Sequence, residues 1–254
     1  MARYTIEMID IKHKWALVTG ASRGIGKEIS RALHSRGCNL VLHSRSVQHT
    51  EELAEQLSTD NIRVVSVEAD LSVPAEVAKL VSEIKRQVPS IDILYNNAGV
   101  MTPYRSDVWD IPDEDFRHSF EVNVLGPVRL CNAFIPSMIE RGWGRVLNIN
   151  SGIQLEPQLA AYAISKAALK KYVQDLVPVL EGSGVAVNLL DPDWLRTDLG
   201  GQNAPNAVDS VIPGALVPVL VSQCVSGFEF KAQDYAGMNL EGAVSSAEQK
   251  LRLS

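Results

Sequence analysis

Within NSGIQLEPQLAAYAISKAAL, residues 150–169, a serine, a tyrosine and a lysine stand in an order that could act on one molecule. Tyr162 and Lys166 are four residues apart, so on a helix their side chains share a face, about one turn apart. A tyrosine hydroxyl ordinarily titrates near pH 10; it is a poor base and a usable acid, and a neighbouring ammonium lowers its pKa by favouring the phenolate. Lys166 is spaced to do this to Tyr162. Each pKa unit is worth roughly 1.4 kcal/mol, so a few units would tune the phenol for general acid–base work. The Ser151 hydroxyl could hold a carbonyl oxygen whose charge grows as hydride reaches carbon. Such a set would serve the reduction of a ketone or aldehyde, although Y-x-x-x-K alone is a short motif that chance also supplies.

A hydride needs a carrier, and the N-terminal third offers a place for one. The apolar run WALVT leads into TGASRGIGKEI, where Gly20, Gly24 and Gly26 bracket Ser22, Arg23 and Ile25. Glycines permit tight dihedrals and close backbone approach, and the N-terminus of the helix that follows offers free N–H groups to a pyrophosphate. The spacing is G-x-x-x-G-x-G. The second strand ends in VLHSRS, with Ser44 and Arg45 where a carboxylate for a ribose diol is common. An arginine pairs with a 2′-phosphate that a carboxylate would repel. Arg45, with Arg23 approaching from the glycine turn, therefore favours NADP(H) over NAD(H). Asp70, in EADLS with Leu71 beside it, could accept a bond from an adenine amino group, while Ser72 is available to cap the next helix.

Seven short β-rich runs position these residues: 15–19, 39–43, 62–67, 91–96, 144–150, 185–190 and 227–230. Helical patterns alternate with them, including one long pattern through DFRHSFEVNVLGPVRLCNAFIPSMIERG and the tyrosine helix itself. This predicts an α/β fold, a parallel sheet of about seven strands with helices on both faces. It would form a single domain over 1–254. Residues 241–254 show no clear apolar period and read as a mobile or partner-bound tail.

Composition narrows the function. With 254 residues, 46% hydrophobic, the chain can bury a large core. Its longest apolar run, 211–221, is interrupted by Gly and Pro and is too short to span a bilayer, which needs roughly 20 residues. The first residues lack a signal-peptide pattern, giving an expected cytoplasmic location without membrane attachment. Cys38, Cys131 and Cys224 are scattered and odd in number, as expected of reduced, buried thiols. The five histidines have no zinc-ligand spacing, so no metal is expected. A net charge of −6 without a basic cluster argues against nucleic acid.

TGASRGIG (19–26), NNAG (96–99), Asn123 in EVNVLGP, Ser151, YAISK (162–166) and PDWLRT (192–197) together resemble the short-chain dehydrogenase/reductase family over about residues 12–230. The resemblance implies a seven-stranded, Rossmann-type doubly wound sheet, a nicotinamide cofactor and a tetrad of Asn123, Ser151, Tyr162 and Lys166. Tyr162 would donate the proton, Ser151 would orient the carbonyl, Lys166 would also bind the nicotinamide ribose, and Asn123 would hold a water linking Lys166 to solvent. Asn97, Ala98 and Gly99 would line the ribose side, and Pro192, Trp194 and Thr197 the nicotinamide side. The sequence departs from the family pattern in three ways. Asp193 follows Pro192 where glycine is usual, the serine-to-tyrosine separation is a short eleven residues, and Pro178 should kink the tyrosine helix.

Substrate specificity should come from 101–109, 153–159 and 194–208, where Met101, Leu155, Trp194 and Leu199 predict an apolar pocket for a medium-sized carbonyl compound. Three other readings stay open: a 3-oxoacyl-[acyl-carrier-protein] reductase, an NAD-linked alcohol dehydrogenase, and a non-catalytic NADP(H)-binding sensor or scaffold. The resemblance also implies self-association through the long helices, as a homodimer or homotetramer.

Overall fold

The computed structural model describes residues 8–253; the reading of the chain's first seven residues lies outside them. Strand β1 (Trp15–Thr19) leads to α1 (Gly24–Ser35), β2 (Asn39–Ser44), α2 (Glu51–Leu57), β3 (Val64–Glu68), α3 (Pro74–Gln87) and β4 (Ile93–Asn96). The second half runs α4 (Asp113–Phe120), α5 (Gly126–Glu140), β5 (Gly144–Ile149), α6 (Ala160–Leu180), β6 (Val185–Asp191), α7 (Val217–Leu220), β7 (Glu229–Lys231) and α8 (Leu240–Leu251). All seven strands pair in parallel, in the order β3-β2-β1-β4-β5-β6-β7. The fold class matches the expectation from sequence. Because the order reverses between β1 and β4, the carboxyl ends of these two strands flank the crevice where open α/β sheets bind ligands.

Side-chain alternation divides the core into two layers. Ala16, Val18, Leu40 and Leu42 pack with α1, α2 and α8 on one face. Leu17, Val41, Leu94 and Val146 pack with α3, α5 and α6 on the other. The stretch Asp113–Glu140 is long and apolar enough to cross a membrane by length and composition, and Leu130, Phe134 and Met138 account for that character by filling the second layer.

Three expectations are corrected. The segment 241–254 contains most of α8, which Asn239 caps by accepting the Gly242 amide at 2.8 Å. Ala243, Val244, Ala247 and Leu251 are buried, and small alanines carry too little apolar contrast to announce that face. The long helix is not regular throughout: a π-turn, Glu121–Leu125, joins α4 to α5. Pro127 lacks the amide that a regular helix would donate to the Asn123 carbonyl, so this point is predisposed to widen. Finally, Cys38 and Cys131 are buried but Cys224 is exposed. Burial pushes the Cys38 and Cys131 thiols up to about 12.

Candidate active site

A cleft of about 1300 Å³ opens along the carboxyl edge of the sheet, large enough for a dinucleotide and a second small molecule. At one end lies the glycine turn. Gly20 and Gly24 have φ of +65° and +55°, a region where a side chain is costly. The first turn of α1 has no side-chain cap, leaving its amides for an anion. Gly26 does not line the cleft: a Cβ there would stand 2.3 Å from the Gly20 carbonyl oxygen and 2.6 Å from Asn97 Nδ2. It is instead the point where α1 closes on the turn. Thr19 holds the other side, its hydroxyl accepting the Asn97 and Ala98 amides at 2.9 Å, while Asn97 Nδ2 donates to the Thr19 carbonyl at 2.7 Å.

His43, concealed in an apolar strand sequence, supports the same turn. Its Nδ1 accepts from the Gly20 amide at 3.4 Å and its Nε2 lies 3.1 Å from the Ala69 carbonyl, so the bonding pattern is that of a neutral ring protonated at Nε2. Burial lowers its pKa from 6.5 to about 4. With the folded pKa depressed, the stabilisation is complete above pH 6.5 and is lost as pH falls toward 4. Urea unfolding at pH 7 and pH 4.5 should show the parent losing about 2–3 kcal/mol more than His43→Asn. Equal losses would show that the ring does not control acid stability.

Arg45 is exposed at the end of β2 and forms no ion pair among the described residues. Arg23 does form one, with Asp198 at 3.0 Å across the cleft, and so is less available than its position in the turn implied. Asp70 accepts from both the amide and the hydroxyl of Ser72, at 2.8 and 2.6 Å. These bonds hold its carboxyl below the usual range, the Ser72 hydroxyl contributing most. Ser72 is thus Asp70's partner rather than a helix cap; the N-cap of α3 is Val73. Gly20, Ser22, Arg23, Gly24, Ile25, Arg45, Asp70, Leu71, Asn97, Ala98 and Gly99 all border the cleft.

At the other end, Tyr162 and Lys166 project from the first turns of α6 toward Ser151, which follows β5. Lys166 is buried, donates to the Ile149 carbonyl at 2.7 Å, and sits 5.7 Å from the Tyr162 ring centre. Burial lowers its pKa to about 8. Tyr162 corrects the expectation of a lowered phenol: burial raises its pKa, the Ser151 hydroxyl opposes the rise, and the Asp191 carboxylate adds to it. The phenol therefore carries its proton at neutral pH. Asn123 is buried in the π-turn and does not line the cleft. Its Oδ1 accepts the Val100 amide at 2.8 Å, and its Nδ2 donates to the Val100 carbonyl and to Ser165 Oγ at 2.9 Å. Its side chain is committed to structure.

The far wall descends from β6. Asp191 and Pro192 lead to Asp193, whose φ of +66° is the left-handed backbone that the usual glycine would adopt freely and aspartate tolerates at a cost. Trp194 Nε1 donates to the Gly200 carbonyl at 2.7 Å, folding 194–200 into a compact loop. Thr197 on that loop lies close enough to the glycine turn that a Cβ on Gly24 would meet its methyl at 3.5 Å. Pro192, Thr197, Met101, Trp194 and Leu199 line the cleft. Leu155 does not, which corrects the predicted pocket: it is 98% exposed, and its φ of +59° turns it outward. Gln154 and Glu156 border the cleft in its place. Sequence reasoning also missed Asp191, because the departure from Pro-Gly drew attention to Asp193.

Comparison with known proteins agrees with this arrangement. Residues 14–207 match the family model for short chain dehydrogenase. Dehydrogenase/reductase SDR family member 7B of Danio rerio is 34% identical over 198 residues, covering 75% of this chain and 63% of that protein. The match therefore spans under two thirds of that relative's length. Oxidoreductase UcpA of Salmonella typhimurium is 34% identical over 206 residues, covering 78% of this chain and 77% of that one. Among solved structures, a metagenomic short-chain oxidoreductase in complex with NADP superposes with a TM-score of 0.67 at 29% identity, covering 72% of this chain and 84% of that one. The cleft with its glycine turn, the Ser151–Tyr162–Lys166 grouping and these matches lead to one conclusion: the chain belongs to the short-chain dehydrogenase/reductase family of oxidoreductases.

Proposed function

We propose that the protein is an NADPH-dependent reductase of a ketone or aldehyde, working reversibly as a dehydrogenase. The carrying observation is the placement of Tyr162 and Ser151 together at one end of a cleft whose other end is an uncapped, glycine-lined helix N-terminus. The positive φ of Gly20 and Gly24 and the free first turn of α1 fit a pyrophosphate. The bound cofactor would supply hydride to the carbonyl carbon. The Tyr162 hydroxyl then gives its proton to the carbonyl oxygen, and the electron pair of the O–H bond remains as phenolate. The Ser151 hydroxyl donates to the same oxygen as its charge grows. Lys166, as ammonium, stabilises the phenolate and would hold the nicotinamide ribose. With the Asn123 side chain occupied, its main-chain carbonyl, to which Pro127 cannot donate, is the group that would hold a water for reprotonation.

The choice of NADP(H) is supported by Arg45, exposed at the end of β2 and free of ion pairs among the described residues. Of the two acids in EADLS, Glu68 accepts the Val47 amide and Asp70 is engaged with Ser72. NADPH and NADH oxidation should be compared over a panel of ketones, aldehydes and 3-oxoacyl thioesters, with Arg45→Glu beside the parent. The parent should favour NADPH at least about tenfold in kcat/KM and the variant should reverse that preference. Equal use of both cofactors by the parent would sink the NADP(H) assignment. Association of two or four copies through α5 and α6 is part of this reading, with Ile139, Val177 and Val179 exposed on those helices.

A further inference from the structure

The innermost acidic group of the cleft is Asp191, the last residue of β6. The residue is 8% exposed, and its two carboxylate oxygens are differently engaged. Oδ1 accepts the Asp193 amide at 3.0 Å. Oδ2 accepts no hydrogen bond from the described residues and is open to the cleft, and it lies where a Cβ on Gly152 would be only 2.9 Å away. Gly152 follows Ser151 directly, so the missing side chain leaves room for a carboxylate oxygen beside the hydroxyl that would orient a carbonyl. Asp191 also acts electrostatically on the Tyr162 phenol. The charged groups acting on Asp191 itself are Glu229 and Asp193, which repel its charge, and Lys231, which favours it.

A carboxylate here works against reduction of a plain ketone, because negative charge develops on the carbonyl oxygen as hydride arrives. The conflict is relieved if the substrate brings a hydrogen-bond donor onto Oδ2, in place of the water that can reach it from the cleft, and screens its charge. Gln154 and Glu156, which border the cleft where the sequence had promised Leu155, extend the polar wall. Resting on the reductase reading, we propose that Asp191 is a specificity-determining residue which selects carbonyl compounds bearing a hydrogen-bond donor, a hydroxyl or a protonated amine, close to the reacting carbonyl.

The test uses near-isosteric pairs with the NADPH-loaded protein: hydroxyacetone against butan-2-one for a hydroxyl, and dimethylaminoacetone against 4-methylpentan-2-one for a protonated amine. In the parent, kcat/KM should favour the donor-bearing member of at least one pair by about 10- to 100-fold, and Asp191→Asn should remove most of that preference. The pair that responds tells hydroxyl from ammonium. Gly152→Ala, which presses a methyl group on Oδ2 without removing the charge, should weaken the same preference. Binding of the four compounds to NADPH-loaded Tyr162→Phe, followed by ligand-observed NMR, separates recognition from chemistry. A donor preference in binding that disappears in Tyr162→Phe/Asp191→Asn upholds the role of Asp191 even if the parent turns nothing over, in which case the reductase reading is what fails. Equal treatment of both members of each pair, in binding and turnover alike, overturns the inference, as does the absence of any binding. Loss of NADPH affinity in Asp191→Asn with the preference intact also overturns it, assigning the carboxylate to the cofactor.

Discussion

Tyr162→Phe is expected to lower kcat for carbonyl reduction by about 10³-fold while leaving NADPH affinity within about threefold of the parent. The substitution removes one hydroxyl from a ring packed into the base of the cleft and keeps the ring. Tyr104, the other tyrosine among the cleft-lining residues, is at the exposed rim; what disappears is the phenol that stands with Ser151 and Lys166 at the inner end of the cleft. Water could replace it as proton donor, but without a fixed position or the ammonium of Lys166 to stabilise the conjugate base. Steady-state NADPH oxidation gives the rate, and fluorescence titration of NADPH gives the affinity. A variant that retains a tenth of parental kcat would remove Tyr162 from the chemistry. Equal loss of rate and cofactor binding would give the hydroxyl a structural role.

The second large effect should come from the backbone contact at Gly26, away from the reacting centre. Alanine is the better helix former by about 1 kcal/mol, and on propensity alone Gly26→Ala would stabilise α1. The added Cβ would nevertheless stand 2.3 Å from the Gly20 carbonyl oxygen and 2.9 Å from its carbon. Backbone that is itself fixed by Asn97 and His43 cannot yield as a flexible side chain would. Steric repulsion wins, and a net destabilisation of about 2–3 kcal/mol is expected, lowering the melting temperature by about 5–10 °C. Because the displaced atoms form the glycine turn proposed to hold the pyrophosphate, NADPH affinity should fall by more than about tenfold. Thermal unfolding and NADPH titration test the two parts separately; a variant as stable as the parent, binding normally, would show that the turn adapts freely.

Much of this molecule was legible in its sequence, for reasons that can be stated residue by residue. Parallel strands covered on both faces become unbroken apolar runs, and helices covered on one face become periodic, so the alternation was visible. The glycine turn and the Tyr162–Lys166 pair were visible because their chemistry demands particular residue types at fixed spacing. What escaped notice depends on contacts between distant segments. His43 looks like an ordinary polar interruption of a strand until Gly20 and Ala69 are placed on its two nitrogens. The buried face of α8 sets two small alanines, Ala243 and Ala247, and the charged Glu248 between Val244 and Leu251, so its apolar period is faint. Leu155 counted as pocket by composition, yet one positive φ sends it to solvent. The Tyr162 phenol was expected to be lowered by Lys166, but spacing cannot weigh the opposing cost of burying the phenolate.

The π-turn at Glu121–Leu125 lets the helical stretch from Asp113 to Glu140 take in one residue more than a regular helix needs, without a break between α4 and α5. The wider turn absorbs that residue locally, so the side chains on either side keep the faces they would present on an uninterrupted helix. Deleting one position would therefore restore a regular helix with Leu130, Phe134 and Met138 still anchored in the core and Asp115 of α4 still beside Arg105. What would go is the local bulge that aims Asn123 at Val100 and Ser165, and with it the tie between the helix and the loop at the cleft mouth. The extra residue serves that fastening and not the rod: a shortened chain would gain helical regularity and lose the clasp on the wall of its cleft.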